Sequence, residues 1–465
     1  MRALWLEQSG DDLDHPAEPL RGQHEADVCI VGGGFTGLWT AVQIKSLAPS
    51  CDVALIEADI CGSGASGRNG GFLLTWAAKY LTLEKLYGAE DAIRLLELCE
   101  RAPAGVAEFC EAHGIDARVK REGWLWTASN PAQLGAWRST KDALEKRGLD
   151  LIQDADPAEV ERRTGSSRHL AAAFLPNSAT IEPGRLVRGL RRVAMKLGVR
   201  LHERSPMRRL RRGASPGVET AEGTLTAGRV VLATNAWSSM IPELRRRMVV
   251  VGSDIVASRP MAEVLAEMGL DHGIAISDSR LFTHYYRTTE DGRLIFGKGG
   301  GDFVFGSRVG GTFEGESRHR ALIESVIEWF YPSLLREDYV QSWSGPIDRS
   351  MTGLPMFGEL RSYPGVFYGF GYSGNGVGPT YVGGRILASL ALGRQDEWSE
   401  APLVGARCES FPPEPFRYVG ARMIKGALMR KERAEDRGGE PRRLDVALSG
   451  LMPGGLVPVE KGKSR

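Results

Sequence analysis

A glycine-rich turn near the N-terminus constrains this chain more than any other feature. Residues 27–37 read DVCIVGGGFTG, so a short apolar run leads into glycines at the G-x-G-x-x-G positions, Gly32, Gly34 and Gly37. In a strand–turn–helix unit, the first glycine permits the turn, the second lets the backbone approach a pyrophosphate, and the third lets the helix pack closely on the sheet. The positive end of that helix favours bound phosphate.

A second apolar run is followed by a carboxylate at the spacing that is typical of a dinucleotide-binding strand–turn–helix unit. Residues 52–56, DVALI, precede Glu57, which follows Gly37 by twenty residues. A carboxylate at this spacing hydrogen-bonds the ribose hydroxyls of an adenosine and repels a 2′-phosphate. The two segments together predict an adenine dinucleotide site on a parallel α/β sheet.

The next loop favours a flavin dinucleotide. Residues 63–71, SGASGRNGG, contain four glycines, two serines and one arginine. Such a loop presents many backbone N–H donors without side chains in the way, which suits a diphosphate and the edge of a flat ring. These residues resemble the second cofactor loop of the D-amino-acid-oxidase-like FAD-dependent oxidoreductases. That family includes glycine oxidase, sarcosine oxidase and γ-glutamylputrescine oxidase.

Two later segments resemble the same family in the expected order. Residues 230–237, VVLATNAW, are similar to its A-T-G-A-W strand end, with Asn235 in place of the glycine. Asn is the non-glycine residue that best tolerates left-handed backbone. Residues 369–378, GFGYSGNGVG, resemble the C-terminal loop whose amides face the flavin pyrimidine. The resemblance covers most of residues 27–395 and implies FAD as the cofactor.

The resemblance implies FAD-binding residues in these segments, and Met207 matches a position near the adenine. They are Gly32, Gly34, Phe35, Thr36, Gly37, Glu57, Ser63, Ala65, Ser66, Arg68, Asn69, Gly70, Gly71, Met207, Thr234, Asn235, Trp237, Gly374, Asn375, Gly376 and Val377. A covalent flavin link needs a Cys or His at particular places. The stretch before the flavin loop holds Cys61 but no His, and residues 341–382 contain neither. We therefore expect non-covalent FAD.

The implied fold class is α/β, with a Rossmann-like three-layer FAD-binding domain interleaved with an α+β substrate domain built on an antiparallel sheet. A length of 465 residues suits two such domains. The predicted segments are 1–100, 184–245 and 342–395 for FAD binding, 101–183 and 246–341 for the substrate domain, and 396–465 for a C-terminal helical tail. In that tail, basic residues 417–435 carry apolar side chains at helical spacing. This pattern predicts a helix that either docks along the cofactor domain or lies on a membrane surface.

Composition excludes several classes of function. The 59 basic and 58 acidic residues give no argument for a nucleic-acid partner. No stretch reaches the ~18 uncharged apolar residues that a membrane span needs, and residues 1–7 lack the apolar core of a signal peptide. Six cysteines without C-x-x-C spacing and eight histidines without H-E-x-x-H predict neither a disulfide framework nor a metal site. We expect a cytoplasmic protein with no metal and no membrane span.

Candidate substrate-contacting residues lie on a predicted hairpin. A flavin removes a hydride from the carbon beside a neutral amine, so the protein mainly orients the amine and no strong general base is obligatory. Residues 283–287, THYYR, resemble the family hairpin that reaches the substrate. Strand alternation puts Tyr285 and Arg287 on one face and His284 and Tyr286 on the other. Tyr285 and Arg287 are the predicted catalytic pair, with ordinary sheet packing as the alternative.

A later segment bears on the substrate. Residues 343–358, WSGPIDRSMTGLPMFG, resemble the family segment that re-enters the cofactor domain. Amino-acid-oxidising members place an arginine two residues after its first glycine, and another in the C-terminal loop, to clamp a carboxylate. Here the first position is Ile347 and the loop reads SGN at 373–375. The missing arginines oppose a plain α-amino acid and favour an amine whose anionic group, if any, lies farther away.

Four charged residues are candidates for binding such a substrate. Asp348 could pair with the substrate ammonium and is the third predicted catalytic residue. Arg349, Lys298 and Lys79 are candidate cations for a distal anion.

The sequence therefore predicts an FAD-dependent amine oxidoreductase. Its expected substrate is a γ-glutamyl amine, a diamine or an aminophosphonate-like amine, which is oxidised to an imine that hydrolyses to an aldehyde. Electrons would pass to O₂ or to another acceptor. Residues 3–6 (ALWL), residues 123–126 (GWLW) and the basic tail resemble the putative aminophosphonate oxidoreductases of the family. The alternatives are a sarcosine- or glycine-oxidase-like enzyme and a flavin-binding protein without turnover.

Overall fold

The computed structural model describes residues 3–10, 15–406 and 409–453. Its strands form two eight-stranded sheets and one two-stranded sheet. The strands are β1 Gly22–Val31, β2 Val53–Ile56, β3 Phe72–Leu73, β4 Trp124–Ala128, β5 Gln153–Asp154, β6 Ala171–Leu175, β7 Ala179–Thr180, β8 Arg200–His202, β9 Arg209–Arg211, β10 Gly217–Glu219, β11 Gly223–Leu232, β12 Val249–Ser258, β13 Ala275–Asp278, β14 His284–Thr288, β15 Leu294–Lys298, β16 Tyr339–Arg349, β17 Met356–Glu359 and β18 Val366–Phe370. The helices are α1 Leu4–Glu7, α2 Phe35–Leu47, α3 Tyr80–Tyr87, α4 Ala89–Glu100, α5 Ala102–Ala112, α6 Arg138–Glu145, α7 Pro157–Thr164, α8 Pro183–Lys196, α9 Ala262–Glu267, α10 Arg320–Phe330, α11 Val377–Ala391, α12 Phe416–Asp436 and α13 Arg443–Ser449.

The first large sheet has a parallel centre. Its order is β17-β18-β11-β1-β2-β8, and β18, β11, β1, β2 and β8 pair in parallel. Strand β17 adds antiparallel at one edge, and β9 and β10 extend β11 as an antiparallel meander. The buried runs at the end of β1 and throughout β2 are apolar, as strands covered on both faces require.

Two helices bring their N-termini to the carboxyl edge of this sheet. Helix α2 is buried over most of its length, and α11 crosses it closely. A Cβ added at Gly384 of α11 would lie 2.4 Å from the Cβ of Trp39 in α2, so only a glycine permits this crossing. The close packing fixes the starts of both helices relative to the sheet.

The second large sheet has the order β16-β12-β15-β14-β13-β4-β6-β5 and is antiparallel except where β13 pairs with β4. Its side chains alternate between two environments. Tyr286 of β14 stacks on Phe296 of β15 and packs against Phe330 of α10, whereas Tyr285 points to the opposite face. The predicted fold class, a Rossmann-like unit combined with a unit on an antiparallel sheet, is confirmed.

One predicted segment boundary is wrong. The sequence predicts that residues 342–349 return to the FAD-binding domain, but they form the second half of β16. That strand pairs with β12 from Val249–Arg349 to Ser258–Tyr339, so the extended antiparallel ladder holds these residues in the second sheet. The chain rejoins the first sheet only at β17. The other segment boundaries stay predictions.

The predicted tail helix is present as α12, but it docks elsewhere than expected. Glu432 accepts a hydrogen bond from the amide of Phe282, and Lys425 donates to the carbonyl of Gly301 at 2.6 Å. These partners belong to loops of the second sheet, and Arg417 at the start of α12 donates to the carbonyls of Arg245 and Met248 in the connection between the two large sheets. Cys408 and residues 454–465 of the predicted tail lie outside the described residues. Within the described ranges, no helix is long and apolar enough to cross a membrane.

Candidate functional site

A cavity of about 810 Å³ lies at the carboxyl edge of the first sheet, between the two sheets. It is lined by the turns after β1, β2 and β11, by residues 205–210, by the start of α11, and by parts of β14 and β16. All of the predicted FAD-binding residues line it except Gly37 and Gly71. The predicted segments, which are far apart in the sequence, therefore meet at one cavity.

The first glycine turn has the geometry that its motif predicts. Gly32 has φ +110°, and a Cβ there would lie 2.5 Å from the carbonyl oxygen of Ala233. A Cβ on Gly34 would approach the hydroxyl of Ser66 to 2.9 Å. A Cβ on Gly37 would lie 1.9 Å from the carbonyl oxygen of Gly32. Gly37 is thus required for close helix packing, as the motif predicts, and it does not line the cavity.

Glu57 braces two backbone turns at the cavity. Its Oε2 accepts from the amide of Gly33 at 2.7 Å, and its Oε1 accepts from the amide of Asp59 at 3.0 Å. Burial raises the pKa of Glu57, although both amide hydrogen bonds oppose the rise. The carboxylate lines the cavity at the end of β2, where the motif predicts ribose contacts.

The second glycine-rich loop is joined to the first by side chains. The hydroxyl of Ser66 accepts from the amide of Phe35 at 2.8 Å, at the start of α2. Arg68 donates from Nε to the carbonyl of Ser63 at 2.9 Å and thereby closes the loop on itself. Burial lowers the pKa of Arg68. The two loops form one backbone-lined wall.

Two buried indoles hold the far side of this loop. Trp5 donates from Nε1 to the carbonyl of Asn69 at 2.7 Å, and Trp343 donates to the carbonyl of Arg68 at 2.9 Å. The side-chain oxygen of Asn69 accepts from the amide of Gly71 at 2.8 Å. Neither tryptophan was predicted as part of the site, because their positions depend on where α1 and β16 pack.

Arg287 holds the second glycine-rich loop (residues 63–71) in place and does not line the cavity. Its Nε donates to the carbonyl of Gly70 at 3.0 Å, its Nη2 donates to the carbonyl of Ile181 at 2.6 Å, and its guanidinium stacks on Trp5. Burial lowers its pKa to about 10. A Cβ on Gly71 would lie 2.2 Å from the same Ile181 carbonyl. Arg287 and Gly71 therefore shape the loop, and neither lines the cavity.

Tyr285, the other residue of the predicted pair, does line the cavity. Its hydroxyl hydrogen-bonds the Ser253 hydroxyl at 2.8 Å, and its ring packs edge-on against Phe72. A Cβ on Gly297 would lie 2.1 Å from the Cζ of Tyr285, so the glycine makes room for the ring. Burial raises the pKa of Tyr285, so the phenol stays protonated and acts as a wall and a hydrogen-bonding group.

The two remaining loops of the cavity are those that contain Asn235 and Asn375. Asn235 has φ +44°, the left-handed conformation that its replacement of a glycine predicts. Asn375 donates to the carbonyl of Thr75 at 3.2 Å, and its buried Oδ1 has no hydrogen-bond partner among the described residues. Ile347 Cδ1 lies 3.3 Å from the position that a Cβ on Gly374 would take. Neither Ile347 nor the SGN loop at 373–375 offers a cation on this side of the cavity.

Asp348 holds the C-terminal loop. Its carboxylate accepts from the amides of Gly371 and Ser373, and burial raises its pKa to about 6. It also borders the cavity. Because its oxygens already bind two loop amides, the geometry favours a role in positioning the loop over the predicted pairing with a substrate ammonium.

Replacement of Asp348 by Asn tests this assignment. The amide group would leave one loop N–H without an acceptor, at a cost of about 1–3 kcal/mol. We expect a lower FAD-to-protein ratio and a lower melting temperature, both measured on the purified protein. Asp142→Asn, an exposed aspartate, is the matched control. Full FAD content combined with a raised half-saturation for amine would instead support ammonium binding.

The three candidate cations differ in position. Arg349 lines the cavity. Lys298 does not, and its Nζ donates to the carbonyl of Phe282 at 3.3 Å. Lys79 is only 2% exposed. Burial, with a further contribution from Arg349, lowers the pKa of Lys79 to about 7.

The residues present fit the FAD that the sequence implies. Helices α2 and α11 have Gly34 and Gly376 at their N-caps, and both glycines line the cavity. Helix N-termini bind phosphate and stabilise negative charge on a reduced ring. Glu57 supplies a ribose acceptor, and the unpartnered Oδ1 of Asn375 supplies an acceptor at the other loop. Among the described residues, no group of three or more His, Cys, Asp or Glu side chains could hold a metal ion.

Several lining residues were missed by sequence reasoning. Ser253, Leu281 and Glu314 border the cavity from strands and loops of the second sheet. They belong to no motif, and only the packing of the second sheet against the first brings them to the site.

The comparisons agree with the geometry. The family described as FAD dependent oxidoreductase (DAO) matches residues 27–390. The gamma-glutamylputrescine oxidoreductase of Escherichia coli (strain K12) is 30% identical over 393 residues, which cover 83% of this chain and 89% of that protein. A probable oxidoreductase, OrdL, of Rhizobium meliloti (strain 1021) is 31% identical over 391 residues, covering 83% of this chain and 87% of its own.

A solved structure shows the same fold. The crystal structure of glycine oxidase from Geobacillus kaustophilus superposes with a TM-score of 0.67 at 22% identity, covering 83% of this chain and 100% of that chain. The chain therefore belongs to the DAO family of FAD-dependent oxidoreductases, enzymes that act on amines or amino acids.

Proposed function

We propose that this enzyme oxidises the C–N bond of a small amine that has no α-carboxylate: a γ-glutamyl amine, a diamine or an aminophosphonate-like amine. The observation that carries this proposal is that Ile347 and the SGN loop at 373–375, which match the positions of the carboxylate clamp, line the cavity without offering a cation. The similarity to an oxidoreductase named for γ-glutamylputrescine supports the same class of substrate.

The lining residues suit a neutral amine. Phe72, Leu74 and Leu281 give the cavity apolar walls that exclude water. Arg349 and the N-terminus of α11 disfavour a second positive charge nearby, so an amine binds here in its uncharged form. Bound FAD supplies the acceptor for the hydride from the carbon beside the nitrogen. Tyr285 would form the wall that orients that carbon.

The products follow from the electron balance. The amine loses two electrons and two protons and becomes an imine, and water then displaces nitrogen to give an aldehyde and ammonia or a smaller amine. Transfer of the two electrons to O₂ gives hydrogen peroxide, whereas a quinone or a protein acceptor would make the enzyme a dehydrogenase. We propose the cytoplasm as its location, in keeping with the free cysteines among the described residues.

An amino-acid oxidase is the second candidate. The glycine oxidase of Geobacillus kaustophilus is 24% identical over 393 residues. Ile347 and the SGN loop oppose this candidate, because neither offers a cation at the clamp positions.

Aldehyde formation from a panel of amines tests the proposal. The panel is γ-glutamylputrescine, putrescine, 2-aminoethylphosphonate, glycine and sarcosine, with O₂ uptake and dye reduction followed in parallel. We expect one of the first three to give a kcat/KM well above the values for glycine and sarcosine. Protein stripped of FAD is the control. A preference for glycine or sarcosine would contradict the proposal and support the second candidate.

The flavin is expected to be non-covalent. Among the described residues no cysteine or histidine lines the cavity, and Cys61 is buried away from it. Precipitation with trichloroacetic acid should therefore release the yellow colour into the supernatant. Colour that stays with the pellet would contradict this prediction.

A further inference from the structure

Arg349 is a cation with no anionic partner in the cavity wall. It is the last residue of β16, and it borders the cavity. Its Nε and Nη1 atoms are buried, and they have no hydrogen-bond partner among the described residues. Burial lowers its pKa to about 10, and no carboxylate offsets that effect.

The fully buried arginines of the described chain differ from Arg349, which is partly exposed. Arg188 and Arg191 share Glu203, Arg280 pairs with Asp278, and Arg417 pairs with Glu414. Arg287 donates to three carbonyls. Buried N–H donors without partners are costly, so each needs an explanation, and a bound ligand that supplies the acceptors is one.

The neighbouring charges do not neutralise Arg349. Asp348, the preceding residue, has its carboxylate on the amides of Gly371 and Ser373. Lys79 is buried and does not line the cavity, and burial, with a further contribution from Arg349, lowers its pKa to about 7. No ion pair joins Lys79 or Arg349 to a carboxylate in the described part of the chain. The cavity therefore has a positive region that its own side chains leave uncompensated.

The position of Arg349 indicates where an anion would lie. In a strand, residues 347 and 349 face the same side, and they are roughly 7 Å apart. Both line the cavity. Ile347 matches the position from which amino-acid-oxidising relatives clamp an α-carboxylate, so the cation here is displaced by two residues along β16. An acid group bound at Arg349 would be separated from the reacting amine by more than one carbon.

We propose that Arg349 is the binding subsite for a carboxylate or phosphonate at the far end of the amine substrate, and that the buried Lys79 adds to its positive charge when protonated. The planar guanidinium can bind either group through two parallel hydrogen bonds. This inference rests on the proposed function and narrows it to amines that carry a distal acid group. It excludes simple diamines as the preferred substrates.

Calorimetric titration of the FAD-loaded enzyme with anions that lack an amine tests the subsite. The probes are ethylphosphonate and butyrate, with uncharged butyramide as the control ligand. We expect at least one anion to bind, and Arg349→Met to raise its dissociation constant at least tenfold. Lys79→Met should raise it less, and butyramide should not distinguish the variants. The stronger-binding probe identifies the acid as phosphonate or carboxylate.

Two further variants control for loss of charge elsewhere on the protein and for loss of FAD. Arg308→Met removes an exposed cation outside the cavity and should leave anion binding unchanged. Arg349→Lys keeps the positive charge but cannot form the two parallel hydrogen bonds of a guanidinium. This variant should therefore retain FAD and bind the anion with intermediate affinity. Absence of anion binding to the wild-type enzyme, or unchanged binding in Arg349→Met, would overturn the proposal. Loss of FAD from both Arg349 variants would also overturn it, by assigning the guanidinium to the flavin.

The titration separates this inference from the proposed function, because it needs no turnover. An enzyme that binds the anions but oxidises no amine would contradict the proposed function alone. An enzyme that oxidises amines with and without a distal acid equally well would contradict the subsite alone.

Discussion

Glu203→Gln is expected to destabilise the protein by about 3–5 kcal/mol, because it removes the shared carboxylate of two buried arginines. Glu203 follows β8 and is fully buried, as is Arg188 of α8. Its oxygens accept from Arg188 at 3.2 Å and from Arg191 at 2.9 Å. They also accept from the amides of Ala17 and Cys61, both at 2.7 Å. A neutral glutamine would leave two positive charges in the core without this counter-charge.

The melting temperature measures the effect, and a surface pair provides the control. Asp52 pairs with Arg200 at 2.7 Å with both side chains partly exposed, so Asp52→Asn should change stability little. If the two variants melt at the same temperature, the carboxylate of Glu203 does not hold α8 against the sheet.

The carboxylate of Glu203 also makes the stability of the fold depend on pH, in a direction that follows from its pKa. Although burial alone would raise it, hydrogen bonds from Arg191 and the two amides hold the pKa of Glu203 below its usual range. A depressed carboxyl pKa stabilises the fold above the unfolded pKa of about 4.3, and this contribution is lost as the pH falls towards the folded value. Acid destabilisation should therefore be smaller in Glu203→Gln than in the wild type.

Glu57→Ala is expected to weaken FAD binding by about tenfold or more. The substitution removes a charge-assisted hydrogen bond to ribose, worth about 1.5–3 kcal/mol. It also removes the acceptor for the amides of Gly33 and Asp59, so the first turn loses a brace. The FAD dissociation constant, measured by fluorescence during reconstitution of the apoprotein, reports the loss.

The control for this variant is Glu25→Ala, which removes an exposed carboxylate from the opposite half of β1. It should bind FAD as the wild type does. Glu57→Ala protein that is purified with a full complement of tightly bound flavin would contradict the assignment of the first motif.

The cofactor half of the site could be predicted because backbone conformation and close backbone contacts determine which residue types can occupy its positions. Gly32, Gly34 and Asn235 lie where local conformation or close approach dictates the residue type, so a single sequence reveals them. Gly37 was recognised for the same reason, although it packs α2 on the sheet and does not line the cavity.

The substrate half could be predicted only in part. Strand alternation correctly separates Tyr285 from Tyr286, but it cannot tell whether the side chain of Arg287 ends in the cavity or on the carbonyl of Gly70. The latter contact depends on how the flavin loop packs over β14. Likewise, only tertiary structure shows that Asp348 is bound to loop amides, while Nε and Nη1 of Arg349 have no hydrogen-bond partner among the described residues.

The buried pairing of Glu203 with α8 was missed altogether. Arg188 and Arg191 are three residues apart on a helix, a spacing that is equally typical of a solvated basic face. The carboxylate that joins them lies at the end of a different element, and no local pattern connects the three.

Anaerobic reduction of the bound flavin by an amine is the decisive test of amine oxidation by this enzyme. The FAD-loaded enzyme is mixed with the best amine of the panel without O₂, and flavin absorbance and aldehyde are measured in the same sample. We expect the flavin to bleach and one aldehyde to form for each flavin reduced. A flavin that dithionite bleaches but that stays oxidised with every amine and amino acid tested would contradict this expectation.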